Sequence, residues 1–173
     1  SPSMIFLGID SGTQSTKTIA LDVDSGEILA QAQESYGMIE GLPSGHLEQH
    51  PDTWTGATHK TVRSVLDQLG DRKLEVRGIG VSGQQHGLVV LDDSDRPVRA
   101  AKLWCDTSTA SQCEEMARHF GGQAAIIAKA GNAMLPGYTA PKILWLKQNE
   151  PDQRPGGRDH RESRNIRHPF WIG

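Results

Sequence analysis

The stretch "GIDSGTQSTKTIALD" (8–22) sets the topology at the start of the chain. A short apolar run leads into Asp10, and after a polar turn the apolar residues alternate at Ile19, Leu21 and Val23. This pattern predicts two strands joined by a tight turn, and a Ser-Gly turn then returns the chain as a third strand. We therefore expect an antiparallel three-stranded meander. Such a start differs from the helix-after-every-strand order of a dinucleotide-binding fold.

Helix and strand patterns alternate further along the chain. Segment 51–70 has a proline in its first turn and apolar residues at helical spacing, so it predicts a helix with one buried face. Segments 76–83 and 86–93 have the apolar pattern of two strands around a glycine-rich junction. Segments 107–122 and 139–151 predict two more helices. The expected fold class is α/β with a mixed sheet.

Composition narrows the choice of partner and compartment. The 173 residues include 18 Lys and Arg against 21 Asp and Glu, a formal net charge of −3, which gives no reason to expect nucleic acid or an anionic membrane as partner. No apolar run approaches the roughly 20 residues of a membrane span, and the first residues lack a secretory signal pattern. Cys105 and Cys113 cannot form a disulfide framework. We expect a cytoplasmic protein.

Charge is distributed unevenly along the chain. Residues 1–151 carry 13 basic and 18 acidic groups, whereas residues 152–173 carry five arginines against three acidic groups. The second segment has too few apolar residues to cover the face of a helix or a strand, so it predicts a loop or a disordered tail. We expect one domain over 1–151 and an atypical arginine-rich tail over 152–173.

The first hairpin turn has the composition of a phosphate-binding loop. Gly12 and its small neighbours can expose backbone N–H groups, Thr13 and Thr16 add hydroxyl donors, and Lys17 supplies a cation. Asp10 at the strand end could hold Mg²⁺ through water. The turn is not a P-loop, because no glycine precedes Lys17 and no helix follows. An ordinary polar turn is the alternative.

The glycine-rich junction invites two interpretations. "GIGVSG" (78–83) fits the dinucleotide-binding pattern, but it leads to a predicted strand and not to a helix, so we reject that function. In "SGQQHG" (82–87), Gln84, Gln85 and His86 offer donors and acceptors that suit a polyol. A solvated turn is the alternative.

A second candidate for sugar contact is "LWCDTS" (103–108). The indole of Trp104 can cover the apolar face of a sugar, while the carboxylate of Asp106 accepts its hydroxyl groups. A core tryptophan beside a helix-capping aspartate explains the same residues equally well.

Four segments, taken in order, resemble the FGGY carbohydrate kinase family. They are "GIDSGTQSTKTIALD" (8–22), "GIGVSGQQHGLVVLD" (78–92), "LWCDTSTASQC" (103–113) and "GYTAPKILWLKQN" (137–149). The last of these fits the first signature pattern of the family at every specified position. The resemblance implies the N-terminal domain of an actin-like, ribonuclease H-like ATPase fold with a mixed sheet, present here in incomplete form.

The resemblance also implies an activity. In such kinases a sugar hydroxyl attacks the γ-phosphate of ATP with the help of Mg²⁺, and the protein supplies positioning and charge neutralisation. Asp10 would be the catalytic residue near Mg²⁺ and the transferred phosphate. The residues that would line the phosphate loop are Gly12, Thr13, Gln14 and Lys17.

The sugar is suggested by one pair of residues. Gln85 and His86 occupy positions where a glycerol kinase would carry an Arg-Glu pair, and "QQHG" resembles the branch that phosphorylates D-xylulose. Trp104 and Asp106 would complete the sugar pocket. Ribulose, fuculose and gluconate are alternative substrates, because members that act on these sugars share the phosphate loop.

Family members are considerably longer and have a second actin-like domain, which carries the general-base aspartate and most of the adenine site. The resemblance therefore predicts that the isolated 173-residue chain has little or no phosphotransfer activity. A non-catalytic fragment that binds sugar or a kinase protomer is the alternative. Full-length relatives commonly form homodimers.

Overall fold

The computed structural model describes residues 4–151, which form two compact units. Within the described residues, the first unit comprises 4–37 and 52–84, and the second comprises 38–51 and 85–151. The predicted tail at 152–173 lies outside the described residues. The helices and strands are β1 (Ile5–Ser11), β2 (Ser15–Asp22), β3 (Ile28–Ser35), β4 (Glu48–Gln49), α1 (Pro51–Leu69), β5 (Val76–Gly83), β6 (Ala101–Lys102), α2 (Ala110–His119), α3 (Gln123–Ala130) and α4 (Thr139–Asn149).

The first unit contains a four-stranded sheet in the order β3-β2-β1-β5. β1 pairs antiparallel with β2, and β2 with β3, which confirms the predicted meander. β5 pairs parallel with β1, so the sheet is mixed, as predicted. Alternate β1 residues Ile5, Leu7 and Ile9 are buried, because successive side chains of a strand point to opposite faces.

Helix α1 supplies the other half of this unit's core. Val65 and Leu69 of the helix belong to the same buried cluster as Ile5, Leu7, Ala20 and Ala30 of the strands. A buried polar contact lies beside it: the Thr61 hydroxyl donates to the Ala57 carbonyl at 2.9 Å, so the Thr18 hydroxyl, 2.8 Å away, donates to Thr61. The predicted apolar face at 51–70 therefore packs against the sheet.

The second unit departs from the prediction in two places. Segment 86–93 is not a strand; its pairing is limited to isolated bridges, Leu88 with Lys102 and Leu91 with Pro97. The apolar run is interrupted at its first residue, where His86 takes the left-handed value φ 61° that a continuous strand cannot contain. Helix α3, missing from the prediction, begins directly after the two glycines that end the predicted helix at 107–122.

Two other expectations for this unit are confirmed. α2 and α4 form where helices were predicted, and Pro141 lies in the first turn of α4. Among residues 4–151, no helix is both long enough and apolar enough to cross a bilayer.

Candidate functional site

The hairpin turn between β1 and β2 is anchored by hydrogen bonds. The Gly12 N–H donates to the Ser15 carbonyl at 2.9 Å. The Gly12 carbonyl accepts from the Tyr36 hydroxyl at 2.6 Å and from Gln84 Nε2 at 3.1 Å. The Thr13 hydroxyl donates to Gln84 Oε1 at 3.1 Å. Residues that follow β3 and β5 therefore hold the predicted phosphate loop in one conformation.

The charged residues of the loop share one face of the sheet. Asp10 and Lys17 are direct partners across β1 and β2, and Ser82 of β5 lies opposite Asp10 on the other side. Asp10, Lys17 and Gln14 are exposed, whereas Ile9 points to the buried face. An exposed carboxylate fits Mg²⁺, which keeps several waters and binds through few protein oxygens. An adjacent lysine suits a phosphate oxygen.

Thr16 does not present its hydroxyl to a ligand, which corrects the prediction from the loop composition. The residue is fully buried, and its hydroxyl lies 3.0 Å from the Tyr36 hydroxyl. Because Tyr36 donates its proton to the Gly12 carbonyl, Thr16 is the donor in this pair. Thr16 therefore stabilises the residue that supports the turn.

Sequence reasoning missed Tyr36 and grouped Gln84 with the sugar residues. The antiparallel register pairs Ser15 with Ser35, so the residue after β3 must lie beside the hairpin turn. The Tyr36 N–H indeed donates to the Gln14 carbonyl at 2.9 Å. An aromatic residue directly after the third strand of a meander is the signal that could have identified this support.

His86, in the second unit, is held by the start of α4. Its carbonyl accepts from Lys142 Nζ at 3.0 Å and from the Thr139 hydroxyl at 3.1 Å. Its ring packs edge-on against Tyr138 with centroids 4.9 Å apart. The side chains of His86 and the adjacent Gln85 remain exposed. The residues predicted to read the sugar are thus accessible, and a fixed backbone supports them.

The Trp104 segment meets the same helix start through Gly137. A Cβ added at Gly137 would lie 2.9 Å from the Trp104 carbonyl oxygen, so only glycine allows this approach. The Gly137 carbonyl also accepts a hydrogen bond from Lys142. The side chain of Trp104 is 51% exposed. Residues 137–142 therefore support the His86 and Trp104 segments together.

The position of Asp106 does not support the prediction that it contacts sugar. The residue is fully buried. Its Oδ1 accepts from the N–H and hydroxyl of Ser108, and its Oδ2 accepts from the Leu47 N–H at 2.9 Å and from Lys102 at 3.3 Å. Burial alone would raise the pKa of Asp106, but these hydrogen bonds and the lysine charge outweigh it and lower the pKa. The alternative, a core tryptophan beside a helix-capping aspartate, is also wrong in detail, because Trp104 is half exposed and the N-cap of α2 is Thr109. Asp106 is instead a buried structural residue of the turn before α2.

A buried lysine lies among the only cluster of potential metal ligands found in residues 4–151. His46, Glu48 and Asp106 can bring one ligand atom each to within 4.8 Å of the others. Lys102 Nζ, however, lies 3.3 Å from a donor atom of each of the three. It also stands 3.8 Å above the centroid of the Trp145 ring. The lysine ammonium thus supplies the positive charge that a metal ion would bring.

Arg99 extends this buried cluster to the end of α4. Its guanidinium lies 2.9 Å from Glu48 and 2.7 Å from Glu150. Burial would lower the pKa of Arg99, but the hydrogen bonds to Glu150 and Glu48 raise it above its ordinary value. The arginine therefore stays charged and links β4 to the residue after α4.

Neither cysteine has the character of a nucleophile. Burial raises the pKa of the Cys105 and Cys113 thiols, which keeps the reactive thiolate scarce at neutral pH.

Comparison with known proteins gives a consistent result. The model of the FGGY family of carbohydrate kinases, N-terminal domain, matches residues 5–156. A xylulose kinase from Haemophilus influenzae is 40% identical over 153 residues, which cover 86% of this chain and 31% of that protein. The chain thus spans about a third of the length of the curated relatives it matches.

Solved structures share the fold. A xyloylose kinase from Brucella ovis superposes with a TM-score of 0.77 at 32% identity, over 86% of this chain and 30% of that one. A gluconate kinase from Lactobacillus acidophilus gives a TM-score of 0.76 at 24% identity, over 87% of this chain and 30% of that one, and this likeness shows the fold alone. The expected actin-like fold of a sugar kinase N-terminal domain is confirmed.

Proposed function

Because the chain belongs to the FGGY family of carbohydrate kinases, we propose that it forms the N-terminal part of an ATP-dependent kinase of D-xylulose. The observation that carries the substrate assignment is the exposed Gln85-His86 pair. By the family resemblance, a glycerol kinase would carry Arg-Glu at these positions. The 40% identity to a xylulose kinase supports the same substrate.

The proposed reaction is a direct phosphoryl transfer. A sugar hydroxyl oxygen forms a bond to the γ-phosphorus of ATP while the bond from that phosphorus to the β–γ bridging oxygen breaks, releasing ADP. The hydroxyl proton passes to a base that the family resemblance assigns to the second actin-like domain. Mg²⁺, held through water near Asp10, would neutralise charge on the phosphate oxygens.

In this proposal the β1–β2 hairpin positions the phosphates. Lys17 and the turn around Gly12 and Thr13 face the phosphate oxygens, with Gln14 at the exposed tip. The anchoring of Gly12 by Tyr36 and Gln84 supports this role, because a turn fixed in advance need not reorganise when the ligand binds. The contribution of the chain is positioning and charge neutralisation.

The protein residues that were predicted to contact the sugar fall into two groups. Gln85, His86 and Trp104 are accessible and are proposed to contact the sugar directly. We assign Asp106 the different role of ordering the turn before α2, since its oxygens already accept hydrogen bonds from the protein.

Turnover by the 173-residue chain is the first test. We expect release of ADP from ATP and D-xylulose to stay at background, because the proposed base belongs to the second domain. Robust sugar-dependent turnover would contradict the assignment of the base. Repeating the assay with ribulose, fuculose, gluconate and glycerol in place of D-xylulose checks whether any other substrate is turned over.

Sugar binding is the second test. Calorimetry of the chain with D-xylulose, without nucleotide, should give a binding heat that glycerol does not give. His86→Ala should weaken D-xylulose binding by roughly fivefold or more, the equivalent of one lost hydrogen bond. His59→Ala, an exposed histidine of α1, is the matched control and should leave the affinity unchanged. No binding heat from any sugar would sink the proposed binding role of this chain.

Two alternatives would appear as different outcomes of these tests. Family members that act on other sugars share the phosphate loop, so preferential heat with ribulose, fuculose or gluconate would reassign the substrate. Sugar binding without any role in phosphoryl transfer would indicate a non-catalytic binding module. In that case, the binding heat of D-xylulose would be the same with and without MgATP.

A further inference from the structure

His86 has a backbone conformation that needs external support. Its φ of 61° lies in the left-handed region, which residues other than glycine rarely adopt. Such conformations persist where the surroundings hold them, and they concentrate at functional sites. The neighbouring residue 87 is a glycine, yet the left-handed position falls on the histidine. The imidazole direction therefore depends on what holds the His86 peptide.

Lys142 provides that support from inside the protein. Its side chain is fully buried, although lysine is among the residues that are least often buried. The ammonium donates to the His86 carbonyl at 3.0 Å and to the Gly137 carbonyl. A buried ammonium is costly unless its hydrogen bonds are satisfied, so two carbonyl acceptors explain why the lysine stays in place.

The residues around Lys142 reinforce the same contact. The Thr139 hydroxyl donates to the same His86 carbonyl at 3.1 Å. The ring of Tyr138 packs against the imidazole at 4.9 Å with an interplanar angle of 61°. One carbonyl with two donors and one ring with an edge contact leave little freedom to residue 86. All three supports lie in the segment that opens α4.

We propose that Lys142 is a positioning residue, which holds His86 in its left-handed conformation and thereby aims the imidazole at the sugar. This inference rests on the proposed function of His86 as a sugar contact. It also gives the signature segment 137–149 a physical role, because the segment holds the backbone of His86, the proposed sugar contact.

The charge state of Lys142 responds to its surroundings. Burial lowers the pKa of Lys142 to about 8, and the nearby Lys102 charge acts in the same direction. Asp106 and the thiols of Cys105 and Cys113 oppose this shift. A loss of the proton above pH 8 weakens the donor strength of the amine toward the His86 carbonyl. Sugar affinity should therefore decline as the pH rises through 8 to 9.

A backbone measurement tests the proposal without any ligand. In the ¹³C-labelled 173-residue chain, the Cα and Cβ shifts of His86 should show a left-handed residue. Lys142→Met, which keeps an unbranched apolar stem and removes the ammonium group, should move these shifts toward extended or helical values. Lys147→Met, on the exposed face of the same helix, is the matched control and should not move them. Unchanged His86 shifts in folded Lys142→Met would overturn the proposal.

A double-mutant cycle then connects the conformation to the sugar. Lys142→Met should weaken D-xylulose binding by up to the roughly fivefold loss expected for His86→Ala, because it removes the support of that contact and no sugar contact of its own. In the His86→Ala background the same substitution should have a much smaller effect, because Lys142 acts mainly through His86. Additive losses would show an independent role and contradict the proposal.

Thr139→Val provides a second test in case the Lys142→Met variant does not fold. It removes one of the two donors to the same carbonyl from a partly exposed position, and a smaller shift change in the same direction is expected. No change at His86 in this variant would also count against the proposal. If the wild-type chain binds no sugar, the proposed function fails, while the shift measurements still decide whether Lys142 sets the conformation.

Discussion

Lys102 and Lys142 are both fully buried, yet their ammonium groups meet different partners. Lys102 lies among carboxylates and a histidine, where its charge balances theirs. Lys142 meets backbone carbonyls, where its charge strengthens hydrogen bonds without an ion pair. The two residues should therefore respond differently to substitution: the first mainly in stability, the second mainly in the conformation of His86.

Replacing Lys102 by methionine should be strongly destabilising. The substitution leaves Asp106 buried without its cation and Glu48 paired with Arg99 alone, and breaking such a buried pair costs about 3–5 kcal/mol of the free energy of unfolding. Urea unfolding measures the loss. Lys60→Met is the control, since Lys60 pairs with Glu34 on the surface and should change the free energy by less than about 1 kcal/mol. Equal losses in both variants would contradict the buried-cluster argument.

Asp106→Asn should lower stability at neutral pH and change its acid dependence. The pKa of Asp106 is lowered in the folded state, so its stabilisation is complete above the unfolded value of about 3.9 and is lost as the pH falls through the folded pKa. We expect a loss of about 3 kcal/mol at pH 7, which shrinks below about pH 4. Unfolding curves from pH 7 downward measure the difference.

The matched control for this acid dependence is Asp93→Asn, an exposed aspartate in the same unit. Its curve should follow that of the unaltered chain at every pH. A constant gap between the Asp106→Asn variant and the unaltered chain down to the lowest pH would show that the carboxylate charge is not the source of the stability.

At the scale of elements, two glycine-to-alanine substitutions should change stability in opposite directions, because one added Cβ has free space and the other meets a backbone carbonyl. Gly56 lies within α1 with no atom within 4 Å of an added Cβ, so Gly56→Ala should raise the free energy of unfolding by about 0.5–1 kcal/mol. Gly137→Ala would press against the Trp104 carbonyl and should lower it by about 1–3 kcal/mol. Thermal unfolding measures both. An unaffected Gly137→Ala variant would show that the two segments are not held together.

The elements that could be predicted are those whose pattern is local. The meander follows from alternation between tight turns, and α1 follows from apolar residues at helical spacing after Pro51. Segment 86–93 could not be assigned correctly, because its apolar residues resemble a strand while a tertiary contact at His86 fixes a left-handed backbone. Helix α3 was not predicted, because the Gly-Gly pair before it was interpreted only as the end of the preceding helix.

For the candidate site, the exposure of side chains at the turns could be predicted, while the roles assigned to them stay predictions. The exposed positions of Asp10, Lys17 and His86 agree with their assigned functions, since exposure at a turn follows from the local pattern. The burial of Asp106 could not be anticipated, because its partners Leu47 and Lys102 come from other segments of the chain. Long-range hydrogen bonds leave no periodic signal in the sequence.

At the scale of the whole molecule, charge bears on nucleotide binding. The chain carries a net charge of −3, so its overall field repels the anionic complex of Mg²⁺ and ATP. The proposed function assigns the attraction to short-range contacts at the β1–β2 hairpin, among them Lys17, which is exposed beside the turn. Added salt screens the long-range repulsion and weakens a close contact such as that of Lys17 only modestly, so its two effects on the affinity oppose each other.

We therefore expect that the affinity of the chain for MgATP changes by less than about threefold between about 50 and 200 mM salt. A nucleic-acid-binding protein with 6–10 phosphate contacts, in contrast, loses about 10³–10⁵ in affinity over the same range. Calorimetry at the two salt concentrations measures the change. Lys17→Met should weaken binding by about tenfold, because a charge-assisted contact is lost. Lys73→Met, at an exposed position outside the hairpin, provides the control. If Lys73→Met weakened binding as much as Lys17→Met, or if salt abolished binding, the nucleotide would be held by diffuse charge and not by the hairpin.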